Sequence, residues 1–182
     1  MTTQTLTSTA WAIDPAHSEV QFKVKHLVIS TVTGYFRSFR GELIESENGF
    51  EGAKVAFAAE TASVDTNNEQ RDGHLKSEDF FASERFPELS FESTSFQKLD
   101  ADRFELKGNI TIKGVTKEIT LDAELGGKAT DPYGNEKAGF EVIGKINRKE
   151  FGLNWDAVTE AGGVVVSDEV RLHMNIQLNK QA

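Results

Sequence analysis

The chain alternates apolar and polar residues along much of its length. In the segment from residue 20 to 26, Val20, Phe22 and Val24 share one face, and the residues between them are polar. This period of two is typical of β-strands with one buried face. Because most such segments keep a polar face, they exclude a parallel sheet buried on both sides and predict an antiparallel barrel or sandwich. Eight segments carry strand patterns: residues 20–26, 34–44, 54–64, a fourth that begins at Leu89, 104–113, 119–125, 138–146 and 170–178.

Two regions break this alternation. Within the second segment, Phe36 and Phe39 lie three residues apart, which predicts a bulge that bends the strand. Residues 65–93 have no strand pattern until Leu89, because charged and amide residues come first and four phenylalanines follow at positions 80, 81, 86 and 91. A long connection with large apolar groups is either packed onto the fold or functional. We predict a lid, with a short helical piece over residues 69–81, whose phenylalanines cover one end of the β-structure.

Small residues recur on the predicted inward faces of the strands. They are Ala59, Gly108, Ala123, Ala138 and Gly144. An eight-stranded barrel is just filled by its own side chains or just able to hold one small ligand. A self-filled barrel would need larger apolar residues at these positions, since empty apolar volume costs stability. The small residues therefore favour an open lumen. The alternative is that they only relieve crowding where a twisted barrel narrows.

Composition and charge narrow the functional classes. A length of 182 residues predicts one domain, which we place at residues 11–182 behind a flexible, threonine-rich tail at residues 1–10. The net charge of -9 argues against nucleic acid and against anionic membrane surfaces as partners. The chain contains no cysteine, so disulfides, thiolate catalysis and cysteine-bound zinc are excluded. No segment is apolar enough for stable membrane insertion.

The amino-terminal residues show no recognisable targeting signal. It has neither the basic region nor the apolar stretch of a secretory signal, so the chain as written is expected in the cytoplasm. A periplasmic protein whose leader had been replaced would have the same sequence. The sequence does not decide between a monomer and a homodimer.

Catalytic and metal-binding motifs are missing from the sequence. It has no G-x-S-x-G, H-E-x-x-H or phosphate-binding loop, which argues against an enzyme. The four histidines (His17, His26, His74 and His173) lack the short spacing of a local metal site. A site formed by His17, His26 and His173 in space is the one metal arrangement left open, and we expect neither a metal nor a cofactor.

Several long motifs resemble those of one family. They are W-x-I-D-P-x-H-S-x-V-x-F-x-V-x-H from Trp11 to His26, R-D-x-H-L-x-S-x-D-F-F from Arg71 to Phe81, F-P-x-L-x-F-x-S from Phe86 to Ser93, G-N-I-T-I-K-G-V-T from Gly108 to Thr116, and I-N-R-K-E-F-G from Ile146 to Gly152. In this order, over about residues 11–178, the chain resembles the YceI-like family. The resemblance implies an all-β fold: an eight-stranded antiparallel, lipocalin-like barrel, here with a short helical lid after strand 3. It also implies a polyisoprenoid chain in the lumen and no established catalysis.

Pattern and resemblance together give a leading hypothesis and two alternatives. The first is a carrier or storage protein for an isoprenoid lipid, either a polyprenyl phosphate or an isoprenoid quinone. The second is an enzyme that acts on such a lipid with a lid histidine as acid or base. The third is a stress-linked interaction protein with the barrel as scaffold. We expect ligand contacts from inward strand positions, the lid and the connection after residue 146: Phe22, Val24, His26, Phe39, Asn67, Arg71, His74, Phe80, Phe81, Phe91, Ala123, Phe140, Gly144 and Trp155.

Four of these residues have competing structural explanations. A single histidine on an apolar strand face, such as His26, is more often a hydrogen-bonded core residue than a ligand contact. Arg71, Asp72 and His74 also fit a surface ion-pair network on the lid. Trp155 also fits a packing residue that closes the barrel.

Overall fold

The computed structural model describes residues 9–27, 29–155 and 166–181. Over these residues the one α-helix is α1 (Glu69–Leu75), and the remaining regular structure consists of strands and three short 3₁₀ turns. The strands are β1 (Ala10–Ile13), β2 (Glu19–His26), β3 (Ser30–Phe36), β4 (Phe39–Ser46), β5 (Gly49–Glu60), β6 (Val64–Asp65), β7 (Glu88–Lys98), β8 (Arg103–Ile112), β9 (Val115–Thr130), β10 (Glu136–Asn147) and β11 (Val166–Lys180).

These strands form a closed barrel of eight antiparallel strands, which confirms the predicted fold. Two of the eight are broken in half, and this accounts for most of the additional segments. Both β1 and β2 pair with β11, through Ile13 with Leu178 and Phe22 with Leu172, so they are halves of the first barrel strand. In the same way β3 pairs with β2, and β4 pairs with β1. The ring continues from β4 through β5, β7, β8, β9 and β10 to β11, while β6 adds two residues beside β3.

Each break has a local cause. Asp14 ends β1, because its side chain accepts a hydrogen bond from the Ala16 backbone at the start of a 3₁₀ turn that contains Pro15. The bulge predicted between Phe36 and Phe39 is a complete interruption at Arg37 and Ser38. There the Arg37 amide donates to the Ser63 carbonyl instead of to a neighbouring strand. Both features bend the wall of the barrel.

The lid helix is shorter than predicted. It begins at Glu69, as expected, but ends at Leu75 instead of residue 81. Beyond it, the Phe81 amide donates back to the Leu75 carbonyl and the Ser83 amide to the Lys76 carbonyl, so the chain continues as consecutive turns. These turns fold the phenylalanines back toward the barrel. No described helix is long and apolar enough to cross a membrane.

One end of the barrel is closed by five aromatic side chains, which we call the base cluster: Trp11, Phe50, Phe96, Phe104 and Phe140. All five are at most 7% exposed. Phe96 stacks on Phe104 at 4.8 Å between ring centroids, and Phe140 meets Phe50 edge-on at 5.3 Å. This end of the lumen is therefore filled by aromatic side chains.

The predicted amino-terminal tail falls largely outside the described residues. Of residues 1–10, the structure describes Thr9 and Ala10. Ala10 belongs to β1 and pairs with Ile44, and the Thr9 carbonyl accepts a hydrogen bond from the Glu45 amide.

Candidate functional site

The lumen of the barrel contains a cavity of about 590 Å³ that extends from the base cluster to the lid. Its wall is apolar and comes from inward positions on opposite sides of the barrel, such as Val24, Val55, Ile119, Val142 and Leu172. All five side chains are only partly buried, and those of Val55, Ile119, Val142 and Leu172 pack against the core. An inward residue of a closed barrel stays partly accessible only where the lumen is not filled. The wall thus has the character of a binding cavity.

The small inward residues do not all create this space. A Cβ atom built on Gly144 would lie 2.2 Å from Cδ2 of Leu121, and one built on Gly108 would lie 2.4 Å from the Phe91 ring. These glycines make room for a neighbouring side chain, as the crowding alternative proposed. Ala123 is different because it lines the cavity directly. The open volume therefore depends on Ala123 and the overall barrel geometry more than on the glycines.

The lid is fixed to the barrel by hydrogen bonds around Thr66. Asn68 caps α1 by accepting from the Arg71 amide at 3.0 Å. The Arg71 guanidinium donates to the hydroxyl and to the carbonyl of Thr66, at 2.7 Å each. Asp72 accepts from the Thr66 amide at 2.8 Å and from its hydroxyl at 2.5 Å. Thr66 is buried, so these bonds set the position where the helix starts.

Aromatic rings close the lid over the cavity. We call Phe36, His74, Phe80, Phe81 and Trp155 the lid cluster. The His74 ring lies edge-on to Trp155 at 4.8 Å and to Phe80 at 5.1 Å, and Phe81 meets Phe36 at 5.6 Å. His74 Nε2 lies 2.8 Å from a carboxylate oxygen of Asp79. All five rings line the cavity, and together they form a cover with one polar edge.

Arg148 is a buried cation at the same end of the cavity. Its side chain is 3% exposed. The guanidinium donates to four backbone carbonyls, those of Leu153, Trp155, Val166 and Ser167, at 2.6 to 3.2 Å. It thereby joins the segment after β10 to the beginning of β11 and holds Trp155 over the mouth. Sequence reasoning did not select Arg148, although it stands in the quoted N-R-K-E-F-G motif directly after a strand.

The structure brings together most of the predicted ligand-contacting residues. Eleven of the fourteen line the cavity: Phe22, Val24, His26, Arg71, His74, Phe80, Phe81, Phe91, Ala123, Phe140 and Trp155. Three do not. Phe39 stacks on Phe57, and Phe57 is the ring that faces the cavity. Asn67 is exposed on a left-handed turn with φ 62°, and Gly144 is covered by Leu121.

The histidines are dispersed. His17 Nδ1 lies 2.8 Å from Asp14 at the kink of the first barrel strand. His173 lies 3.8 Å from Glu141. His26 lines the cavity, whereas His17 and His173 do not. Over residues 9–27, 29–155 and 166–181, no group of three or more histidine, aspartate or glutamate side chains is placed to hold a metal ion. The spatial site of His17, His26 and His173 does not form in this arrangement.

Comparison with known proteins agrees with the fold. The model of the YceI-like domain matches residues 11–178. The protein YceI of Escherichia coli O157:H7 is 41% identical over 140 residues, which are 77% of this chain and 73% of that protein. The crystal structure of a Campylobacter jejuni YceI protein is 34% identical, with a TM-score of 0.76 and full coverage of both chains.

A more distant structure shares the fold alone. It is a polyisoprenoid-binding domain from Saccharophagus degradans implicated in plant cell wall breakdown, 14% identical with a TM-score of 0.68, covering 92% of this chain and 97% of that one. The family match spans the whole barrel, and the sequence match to curated relatives is well above 30% identity. The chain therefore belongs to the YceI-like family.

Proposed function

We propose that this protein binds a long isoprenoid lipid in the barrel lumen and acts as its carrier or store. The observation that carries the proposal is the apolar cavity of about 590 Å³ between the base cluster and the lid. Small-molecule sites typically span about 300–1,000 Å³, so this cavity has the size of a ligand site. The fold of the polyisoprenoid-binding domain from Saccharophagus degradans supports the same ligand class.

The shape of the cavity favours a chain over a compact metabolite. Phe140 and Ile146 both line it and lie six residues apart on β10. At about 3.4 Å per residue and a strand tilt of about 40°, they are about 15 Å apart along the barrel axis. A volume of about 590 Å³ over that length has a mean width of about 7 Å. Such a lumen suits a hydrocarbon chain.

Apolar burial would supply the affinity. Burying one isoprene unit removes about 100 Å² of apolar surface, which contributes roughly 2–3 kcal/mol before ordering costs. A few units are therefore enough for micromolar binding. The tail would lie toward the base cluster, because Ile13, Phe96, Phe140 and Leu178 line the cavity there. The head group would lie at the mouth, where the cavity has polar residues such as His26, Gln70, Arg71 and His74.

Two other functions are weaker proposals. An enzyme that acts on the lipid would use His74, which lines the cavity next to Asp79, but the described lining offers no nucleophile activated by that pair. A scaffold with a collapsed lumen does not explain the open cavity. Turnover of a bound lipid that is lost in His74→Ala would favour the enzyme.

The direct test is to identify what the purified protein carries. Native mass spectrometry should show an adduct of one lipid per chain, and organic extraction followed by lipid analysis should identify it as an isoprenoid. A chain that carries no lipid after purification without detergent, and takes up none when offered isoprenoids, would contradict the proposal. Extracted phospholipids in the proportions of the host membrane would also contradict it, since they would indicate non-specific association.

A further inference from the structure

The hairpin between β2 and β3 exposes apolar side chains at the mouth of the cavity. Ile29 is 87% exposed and Leu27 is 39% exposed, although both are large and apolar. Leu27 directly follows His26, which lines the cavity and pairs with Val166, another lining residue. The hairpin therefore projects from the rim of the opening. We call Leu27 and Ile29 the rim tip.

Basic side chains lie next to the rim tip on the outer wall. Lys23 of β2 stands opposite Arg171 of β11, and Arg171 stands opposite Lys145 of β10. Lys25 is exposed, lies two residues closer to the tip and also borders the cavity. Lys145 and Arg171 are each 73% exposed. We call these four residues the basic row.

The basic row has few acidic partners. Glu169 lies 3.5 Å from Arg171 and 4.0 Å from Lys145. In the described part of the chain, neither Lys23 nor Lys25 has a carboxylate within 4 Å. The nearby Asp168 lies 3.2 Å from Lys149 and 3.9 Å from the buried Arg148. The outer wall at the mouth is thus locally positive on a chain whose net charge is -9.

Stability does not explain this arrangement. Like charges directly opposite each other on neighbouring strands destabilise a sheet, and exposed large apolar side chains at a hairpin tip gain nothing from folding. Both features would be useful at an interface with an anionic, partly apolar surface. We propose that the rim tip and the basic row dock the mouth of the barrel onto an anionic lipid bilayer.

The spacing of the two features fits the layers of a bilayer. Interfacial segments bury their apolar groups about 5–10 Å below the head groups. Lys25 and Lys23 lie two and four residues from Leu27, which places them about 7 and 13 Å further along the strand. With the rim tip inserted, the basic row reaches the level of the lipid phosphates. This peripheral docking does not require the membrane insertion that the sequence excludes, and it does not depend on which ligand fills the cavity.

Vesicle binding tests the proposal with a matched control. Tyr133 lies in the β9–β10 turn at the opposite, base end of the barrel and is 89% exposed, close to the 87% of Ile29. The full chain should co-sediment with vesicles of phosphatidylcholine containing about one third phosphatidylglycerol, and much less with pure phosphatidylcholine. Ile29→Ser should weaken binding on the order of tenfold, because an apolar side chain no longer leaves water. Tyr133→Ser should bind like the unchanged protein.

Charge and orientation give two independent checks. Lys23→Gln and Lys145→Gln should each weaken binding about fivefold, and added salt should weaken it further. Because the chain has no cysteine, Ile29→Cys and Tyr133→Cys can each carry one environment-sensitive dye. The dye at position 29 should shift to shorter wavelengths on anionic vesicles, and the dye at position 133 should not. No binding to anionic vesicles, equal binding to neutral ones, or equal shifts at both positions would overturn the proposal.

Discussion

The two ends of the barrel are both closed by aromatic rings, but they are built from different parts of the chain. Every residue of the base cluster lies on a barrel strand and is buried. In the lid cluster only Phe36 lies on a strand, and His74, Phe81 and Trp155 are half-buried. Strand residues are held by hydrogen bonds to both neighbouring strands, whereas helix and turn residues can move as a unit. We therefore expect the base to be a permanent floor and the lid to be a cover that opens without unfolding the barrel.

Removing one ring from each cluster should show this difference in stability most strongly. Phe140→Ala leaves a void in the buried base and should lower the free energy of unfolding by about 3–5 kcal/mol. Trp155→Ala removes a half-buried ring and should lower it by about 1 kcal/mol. Chemical denaturation of both variants measures the two losses. Equal losses would mean that the lid is part of the cooperative core, contrary to the comparison.

Arg148 is buried at the mouth, as are Phe36 and Phe80 of the lid cluster. Arg148→Met leaves four carbonyls without their donor and should cost about 2–3 kcal/mol. Arg71→Met is the matched control, because among the described residues that exposed guanidinium bonds to Thr66 alone, and its loss should cost less than about 1 kcal/mol. Hydrogen exchange of residues 166–171 should rise in the Arg148 variant only. Protection that is unchanged there would contradict its role in holding β11.

The smallest effect should come from an exposed ion pair within the lid. Arg85 donates to Glu78 at 2.9 Å and holds the pKa of that carboxyl below its ordinary value of 4.5. The contribution of the pair is therefore complete above pH 4.5 and is lost as the pH falls through the lowered pKa. At pH 7, Glu78→Gln should raise hydrogen exchange of residues 76–86 by less than about twofold.

An ion pair at the base end of the barrel provides the control for that measurement. Lys180 lowers the pKa of Glu136 in the same way at the other end of the barrel. Glu136→Gln should leave exchange in residues 76–86 unchanged at every pH. In acid, below the lowered pKa of Glu78, the Glu78→Gln variant and the unchanged protein should exchange alike. A difference that persists in acid would assign the effect to something other than the ion pair.

The sequence predicted the wall better than the space inside it. The alternation of apolar and polar residues located all eight barrel strands, because a strand with one buried face shows this pattern in its sequence. The Phe36–Phe39 spacing located the break in the second strand but not its extent, since the Ser63 carbonyl that receives the Arg37 amide is remote in sequence. The predicted length of α1 was wrong because the phenylalanines after Leu75 lie in turns. A segment of charged and aromatic residues does not by itself distinguish such turns from a helix.

Features that depend on contacts between strands could not be predicted from the sequence. Gly144 was expected to open the lumen, but the side chain that covers it is Leu121 on another strand. Arg148 was not selected because its partners are backbone carbonyls, which every residue has. The net charge of -9 argues against anionic membranes as partners, but a sum over the chain does not show that Lys23, Lys145 and Arg171 lie side by side.

The most direct test of a lumen that holds a chain between a fixed floor and a movable lid is affinity against chain length. Isoprenoids of two to six units should bind on the order of tenfold more tightly per added unit and then level off when the cavity is full. Ala123 lies next to Phe104 of the base, so Ala123→Leu should level off at a shorter chain. Asp122 is the neighbour of Ala123 that points outward. The Asp122→Leu variant is therefore the control and should behave like the unchanged protein. Affinity that does not vary with chain length, or an Ala123→Leu variant that binds the longest chain as well as the unchanged protein does, would contradict the account.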